Sequence, residues 1–299
     1  MEAGAKGADG LVSGMAGCGF QASHLAHAVD LIAEMKQQGS TIFLAFTANL
    51  VASGLRGLVR ELCERKFIDA IVTTAGGVDH DIIKNFGSYT LGSFDADDAE
   101  LHRKGINRIG NIFLETKHFE LLEEKMQKWF SEIYAKQKII SPSGLNSFIG
   151  SKLGNSSFLH TCWKNKIPVF CPGITDGAIG LQMYFFRQKH RDFVVDVGAD
   201  LKPMGDLVLN AEKTGAIILG GGISKHHVIG ANILRDGLDY AVYISTAPEH
   251  DGSLSGARTR EAKSWGKLKE TGESVNVVAD ATIAFPLICE ALKNRGILK

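Results

Sequence analysis

Short apolar runs, each closed by a polar turn rich in small residues, set the limits on this fold. Residues 41–46 read Thr-Ile-Phe-Leu-Ala-Phe and are followed by Thr47-Ala48-Asn49. Residues 68–73 end at Thr74-Ala75-Gly76-Gly77, residues 215–219 end at Gly220-Gly221-Gly222, and residues 240–244 run into a long polar loop. Runs this short, bounded by turn residues, read as strands buried on both faces. Helical periodicity lies between them. In residues 22–38, Leu25, Val29, Ile32 and Met35 recur at helical spacing, and Gly39 stops the pattern. Strand, turn and helix in repetition give parallel strands joined by right-handed crossovers. The expected architecture is α/β: a single large Rossmann-like domain over residues 15–299, with a mostly parallel sheet flanked by helices and a disordered N-terminus at 1–14. No repeat or low-complexity linker breaks the chain, which favours one continuous sheet.

The intervening segments are less regular. A helix is expected through Val51, Leu55, Leu58, Val59 and Leu62, and a short one from Asp81. Residues 87–111 read as a mostly irregular connection that packs on something, another subunit being one choice. Residues 119–137 form a charged amphipathic helix with Leu122, Met126, Trp129, Phe130 and Ile133 on its apolar face. Ser141-Pro142-Ser143 opens a further helix, and residues 155–165 form another, capped at Asn155 or Ser156. The second half resumes the α/β rhythm, with helices at 178–188, 204–213, 224–235 and 282–294.

Charge and cysteine content exclude some classes of function. With 33 basic and 33 acidic side chains in 299 residues the formal net charge is +0, so no bulk attraction to nucleic acid or anionic membrane is expected. Five scattered cysteines, none in a C-x-x-C pair, read as thiols in a reducing compartment. No signal peptide is visible in residues 1–10, and no apolar run reaches the ~18 residues of a membrane span. A cytoplasmic protein is expected.

The chemistry concentrates in residues 251–267, a Gly- and Ser-rich loop after the apolar run 240–244. In open α/β sheets, ligands sit at the C-terminal ends of strands. The loop ends Trp265-Gly266-Lys267. A flat apolar ring beside a lysine is one way to desolvate an amine and make it nucleophilic; a surface lysine on a Gly-rich loop is the plainer alternative. His226, at a helix start after three glycines, suits a neutral base or a structural role. Asp280 and Asp176, each between a strand and a helix, could accept from ribose hydroxyls or simply cap the helix. The turns at 47–49 and 74–77 fall where a dinucleotide would meet helix N-termini, but the G-x-G-x-x-G fingerprint is absent. His226 and His227 are adjacent and do not share a helix face, so no metal site is expected.

Taken together, Ser255-Gly256-Ala257, Glu261-Ala262 and Ser264-Trp265-Gly266-Lys267 resemble the active-site signature of the deoxyhypusine synthase family. The resemblance extends through residues 220–227, 73–77, 105–111 and 175–177, and so over roughly residues 15–290. It implies NAD-dependent transfer of an aminobutyl group from spermidine to one lysine of translation initiation factor 5A, in a homotetramer with sites at a dimer interface. It gives Lys267 as the lysine that carries the covalent imine and His226 as the histidine beside the reacting amine. Asp79, His80, Asp251, Gly252, Ser253, Glu261 and Trp265 correspond to amine-pocket positions. The NAD positions fall in two halves of the sequence. Ala48, Asn49, Leu50, Val51, Ala52, Thr74, Ala75, Gly76 and Asp176 lie in the first. Gly221, Thr246, Ala247, Asp280 and Ala281 lie in the second.

The sequence departs from the eukaryotic pattern at several carboxylates. Leu254 and Leu181 stand where the family has acids, and the acidic pair after Thr-Ala-Gly-Gly-Val reads Asp79-His80. An archaeal-type member is implied. Two other readings stand beside aminobutyl transfer to factor 5A: a homospermidine-forming relative whose acceptor is a small diamine, and a catalytically silent NAD-binding scaffold.

Overall fold

A computed structural model describes residues 7–299. These fall into two compact units that interleave along the chain. One comprises the chain up to Thr47, Glu61–Val72 and Leu201–Lys299; the other comprises Ala48–Arg60 and Thr73–Asp200.

The first unit is built on the apolar runs. Its strands lie in the order Leu268–Val277, Leu238–Ile244, Thr214–Leu219, Thr41–Phe46 and Ala70–Thr73, the last of which ends one residue beyond the unit. Thr41–Phe46 pairs in parallel with Thr214–Leu219, Leu44 facing Ile217, and Val242 faces Ile217 from the other side. Every residue of Thr214–Leu219 is buried, as the unbroken apolar run requires. Helix Gln21–Gln37 covers this sheet so closely that a Cβ on Gly215 would lie 2.8 Å from the Met35 sulfur. At the strand starts, the Asp239 carboxylate accepts from Thr214 N, Arg235 and Lys269.

The disordered N-terminus expected at 1–14 needs correction. Gly7–Met15 is a helix, held to the end of helix Ala281–Asn294 by Arg295, whose guanidinium donates to Asp9 and Asp30. Residues 1–6 lie outside the described residues. Hydrogen bonds between distant segments formed this helix, and a local reading of small residues had no means to find them.

The second unit is mainly helical, with helices Ala75–Phe86, Lys117–Tyr134, Pro142–Lys152, Phe158–Asn165 and Ala178–Lys189. Residues 87–111 are more ordered than expected. Thr90–Leu91, Ile112–Glu115 and Ile106–Ile109 form a three-stranded antiparallel sheet, and Asp97 caps helix Asp98–Arg103. The signal was the tight turn Gly110-Asn111 between two isoleucines, with Gly110 at φ +58°. Helix Phe158–Asn165 is capped by Ser157, whose hydroxyl accepts from His160 N, and not by Asn155 or Ser156. The helix expected from Asp81 begins at Ala75, which carries Asp79, His80 and Asp81 into a buried helical turn. No described helix is long and apolar enough to cross a membrane.

Candidate active site

In the first unit Gly221, Thr246, Ala247 and Asp280 follow the C-terminal ends of parallel strands, whereas Lys267 directly precedes the last strand, Leu268–Val277. Strand Thr214–Leu219 turns through Gly220 (φ +86°) and enters helix Gly222–Ala231. This places His226 on the second turn of that helix. Strand Leu238–Ile244 leads into the loop that ends at helix Thr259–Ser264. Gly266, at φ +65°, turns the chain so that Lys267 N donates to Ala262 O at 2.9 Å, while Lys267 O accepts from Leu238 N. Lys267 is thus fixed at the mouth of the last strand.

The Lys267 amine lies 3.4 Å from His226 Nε2 and 5.2 Å from the centre of the Trp265 ring. Partial burial, then the charge of Lys267, lowers the His226 pKa below its ordinary 6.5. A neutral imidazole beside an amine can take that amine's proton. Trp265 is 66% exposed, so within one chain it borders the amine without sealing it from water.

Of the remaining first-unit candidates, Glu261 shares a cavity of about 30 Å³ with Lys267 and Trp265, which Lys225, Tyr243 and Leu254 also border. The Asp251 carboxylate accepts from Ser253 N at 2.7 Å, and this bond holds its pKa below the usual carboxylate range. Gly252 is at φ +71°, with nothing near the place a Cβ would occupy. Gly221 is pressed against the loop, since a Cβ there would lie 2.5 Å from Ser255. Ala247 N donates to Ser245 Oγ. Asp280 caps helix Ala281–Asn294 by accepting at Oδ1 from Thr282 N. Its side chain remains exposed, with Oδ2 on the other side of the carboxylate, so capping and ribose binding are compatible.

In the second unit the other candidate NAD residues converge by close approach. A Cβ on Gly76 would lie 2.8 Å from the Ala48 methyl, and one on Gly177 would lie 2.7 Å from the Ala75 methyl. Ala48, Asn49, Thr74–Gly76 and Asp176 therefore share one neighbourhood. Leu50, Val51 and Ala52 are buried, backbone as well as side chain. The carbonyls of Val51 and Ala52 already accept from Lys84. Burial lowers the Lys84 pKa to about 8.

Asp79 and His80 are placed differently from the amine-pocket role that the resemblance implies. Asp79 is 3% exposed, and its two oxygens accept from Ala178 N and Ile179 N at the start of helix Ala178–Lys189. Burial pushes its pKa up to about 7 against those two bonds. His80 Nδ1 is 2.7 Å from the Tyr89 hydroxyl, and burial pushes its pKa down to about 4. Sequence reasoning missed Lys225 and Tyr243. Lys225 lay in plain view in the 220–227 motif, but nothing local marked it as buried.

The fold and the site together define an α/β enzyme with a lysine–histidine pair at the end of a parallel sheet. The family model for deoxyhypusine synthase matches residues 10–292, and the chain belongs to that family, making it a transferase. It is 45% identical over 272 residues to a probable deoxyhypusine synthase of Thermoplasma volcanium, covering 90% of this chain and 88% of that one. A probable deoxyhypusine synthase of Methanocaldococcus jannaschii is 43% identical over 289 residues, with 90% and 88% covered. Among solved structures, a protein assigned as a deoxyhypusine synthase in Entamoeba histolytica superposes with TM-score 0.72 at 28% identity, over 96% of this chain and 93% of that chain.

Proposed function

We propose that this protein transfers an aminobutyl group from spermidine, or a related amine, to a lysine of translation initiation factor 5A, using NAD and working in the cytoplasm as a homo-oligomer. The observation that carries this reading is the 3.4 Å approach of Lys267 Nζ to His226 Nε2, at the end of a loop that matches the family signature. The neutral His226 takes a proton from the reacting amine or from Lys267. Once the donor amine has been oxidised to an imine, Lys267 adds to that carbon and the departing amine leaves, so that the four-carbon unit stays as an imine on the Lys267 nitrogen. The acceptor lysine displaces Lys267 in turn. Glu261 and Asp251 are the exposed acids of this unit placed to hold an ammonium end of the donor.

The residues present suit NAD. Thr74 Oγ1 is buried at the start of helix Ala75–Phe86 with no hydrogen-bond partner, and Gly76 and Gly177 have room only for hydrogen. Thr74, Ala75, Gly76 and Asp176 are the candidate cofactor residues of the second unit, and Gly221, Thr246, Ala247 and Asp280 are those of the first, each set taken by itself. NAD, when bound, would supply the hydride acceptor for oxidation of the donor amine and the hydride donor for reduction of the product imine.

The test is borohydride trapping with NAD and spermidine, followed by mass spectrometry of factor 5A with putrescine present as rival acceptor. An adduct at Lys267 and modified factor 5A are expected. Modification of putrescine alone would replace this reading with homospermidine synthesis. No adduct at Lys267 would leave an NAD-binding scaffold.

A further inference from the structure

Lys225 stands next to His226 on helix Gly222–Ala231 yet turns the other way. It is 2% exposed, among the most deeply buried charged side chains described. Its Nζ donates to Leu254 O at 2.8 Å and to Ala257 O at 2.6 Å, and sits 4.3 Å from the centre of the Tyr243 ring. Both carbonyls belong to the loop that carries Asp251, Gly252 and Ser253.

A buried ammonium is costly unless its hydrogens are satisfied. Here two backbone carbonyls and an aromatic face take up that role. The cost can be recovered only while the loop keeps this one conformation, because a shift of an ångström removes both acceptors together. The loop's other anchors lie mainly at its ends: Thr259, directly after it, donates from N to Asn276 Oδ1 and accepts at Oγ1 from Ser274 Oγ and Asn276 Nδ2 on the last strand. Ser255 Oγ accepts from Gly222 N, and Arg258 pairs with Glu249. Its internal bonds, such as Gly256 N to Ser253 O at 3.2 Å, hold its curl but do not tie it to the sheet.

We infer that Lys225 is a positioning residue: it latches the 251–257 loop onto helix Gly222–Ala231 and so sets the donor-binding residues in register with Lys267 and His226. This rests on the aminobutyl-transfer reading for its effect on catalysis, but not for its effect on the loop. The charged and titratable groups facing Lys225 are Glu261 and Arg258, from helix Thr259–Ser264 and the residue before it, and Tyr243, from strand Leu238–Ile244. Burial, the largest influence, lowers the Lys225 pKa to about 8. A neutral amine still carries two N–H donors for two carbonyls, so the latch survives loss of the proton.

Two variants and two readouts test this on the full chain. In Lys225→Met, the amides of Gly252, Ser253, Gly256 and Ala257 should exchange with solvent at least about tenfold faster, while strand Leu238–Ile244 exchanges as in wild type. The KM for the amine donor should rise at least about tenfold, with kcat at saturating donor changed by less than about threefold. Lys225→Arg, which keeps donors on a similar stem, should hold loop exchange near wild type, and it decides the matter if Lys225→Met does not fold. Unchanged loop exchange in Lys225→Met, a loss confined to kcat, or fast loop exchange in Lys225→Arg would overturn the latch. If wild type forms no adduct at Lys267, the transfer reading fails, and the exchange comparison still judges the latch.

Discussion

Lys267 in the first unit and Asp81 in the second each sit among oppositely or similarly charged neighbours, yet the two surroundings do opposite things. Lys267 is half-buried beside an exposed Trp265 and an exposed His226. Asp81 is 0% exposed and accepts from Ser157 Oγ at 2.6 Å and Leu159 N at 3.0 Å, with Arg56 3.4 Å away. Burial pushes the Asp81 carboxyl up, while those donors favour its charge. One cluster keeps its reactive atoms accessible and spends little on holding them. The other satisfies every oxygen it can and leaves none for a ligand. Chemical richness in a sequence therefore does not by itself mark a reaction site; unspent hydrogen-bonding capacity within reach of solvent does.

Removing the central group of each cluster is the sharpest way to break this contrast. Lys267→Ala removes the nucleophile and should lower kcat/KM by roughly a thousandfold or more, about 4 kcal/mol, in the transfer assay. Its thermal unfolding should stay within about 0.5 kcal/mol of wild type, because the site is half-exposed. Comparable loss of stability would mean that Lys267 is structural. Asp81→Ala should do the reverse. It strands Arg56, Ser157 and Leu159 N, and breaking a buried pair of this kind costs about 3–5 kcal/mol in denaturant unfolding. Activity per folded molecule should survive.

His226→Gln keeps a polar side chain but removes the base, and should cost about a hundredfold in kcat/KM. The pH profile gives a second reading. Because the His226 pKa lies below its ordinary 6.5, wild type should remain active as pH falls to that value and lose activity only below it. The variant should lack this acid limb, and an unchanged limb would assign it to another group.

The smallest effect separates the two units' remaining acids. Glu261→Gln should raise the donor KM roughly tenfold, about 1.4 kcal/mol, by removing a charge-assisted hydrogen bond to an ammonium. Asp79→Asn should leave that KM near wild type and change stability instead. The Asp79 pKa is raised to about 7 from 3.8, so the folded state binds more protons than the unfolded state between those values. Wild-type stability should then fall as pH rises from about 4 to 7 through this group, and Asp79→Asn should remove that part of the slope. A tenfold KM effect from Asp79→Asn would return Asp79 to the amine pocket.

Much of this was readable from local pattern. The runs at 41–46 and 215–219 had to be covered strands, because an unbroken apolar run has no face to give to water. The pairing of Lys267 with a ring followed from Trp265 lying two residues away. Other features were hidden. Helix Ala75–Phe86 starts six residues before Asp81, since Ala-Gly-Gly is a weak helix signal that packing overrides. Ser157 rather than its neighbours caps helix Phe158–Asn165, because its hydroxyl also donates to Asp81, 76 positions away in sequence.

The amino-acid sequence by itself determined the parallel sheet, the glycine turns at strand ends and the Lys267 loop, because each depends on residues within a few positions of one another. Tertiary structure alone decided which ionisable groups are still available. The acceptors of Lys225 lie 29 and 32 positions away, and the donors to Asp79 lie 99 and 100 positions away. No local periodicity encodes such partners, since they are set by how helices and loops pack once the apolar runs are buried.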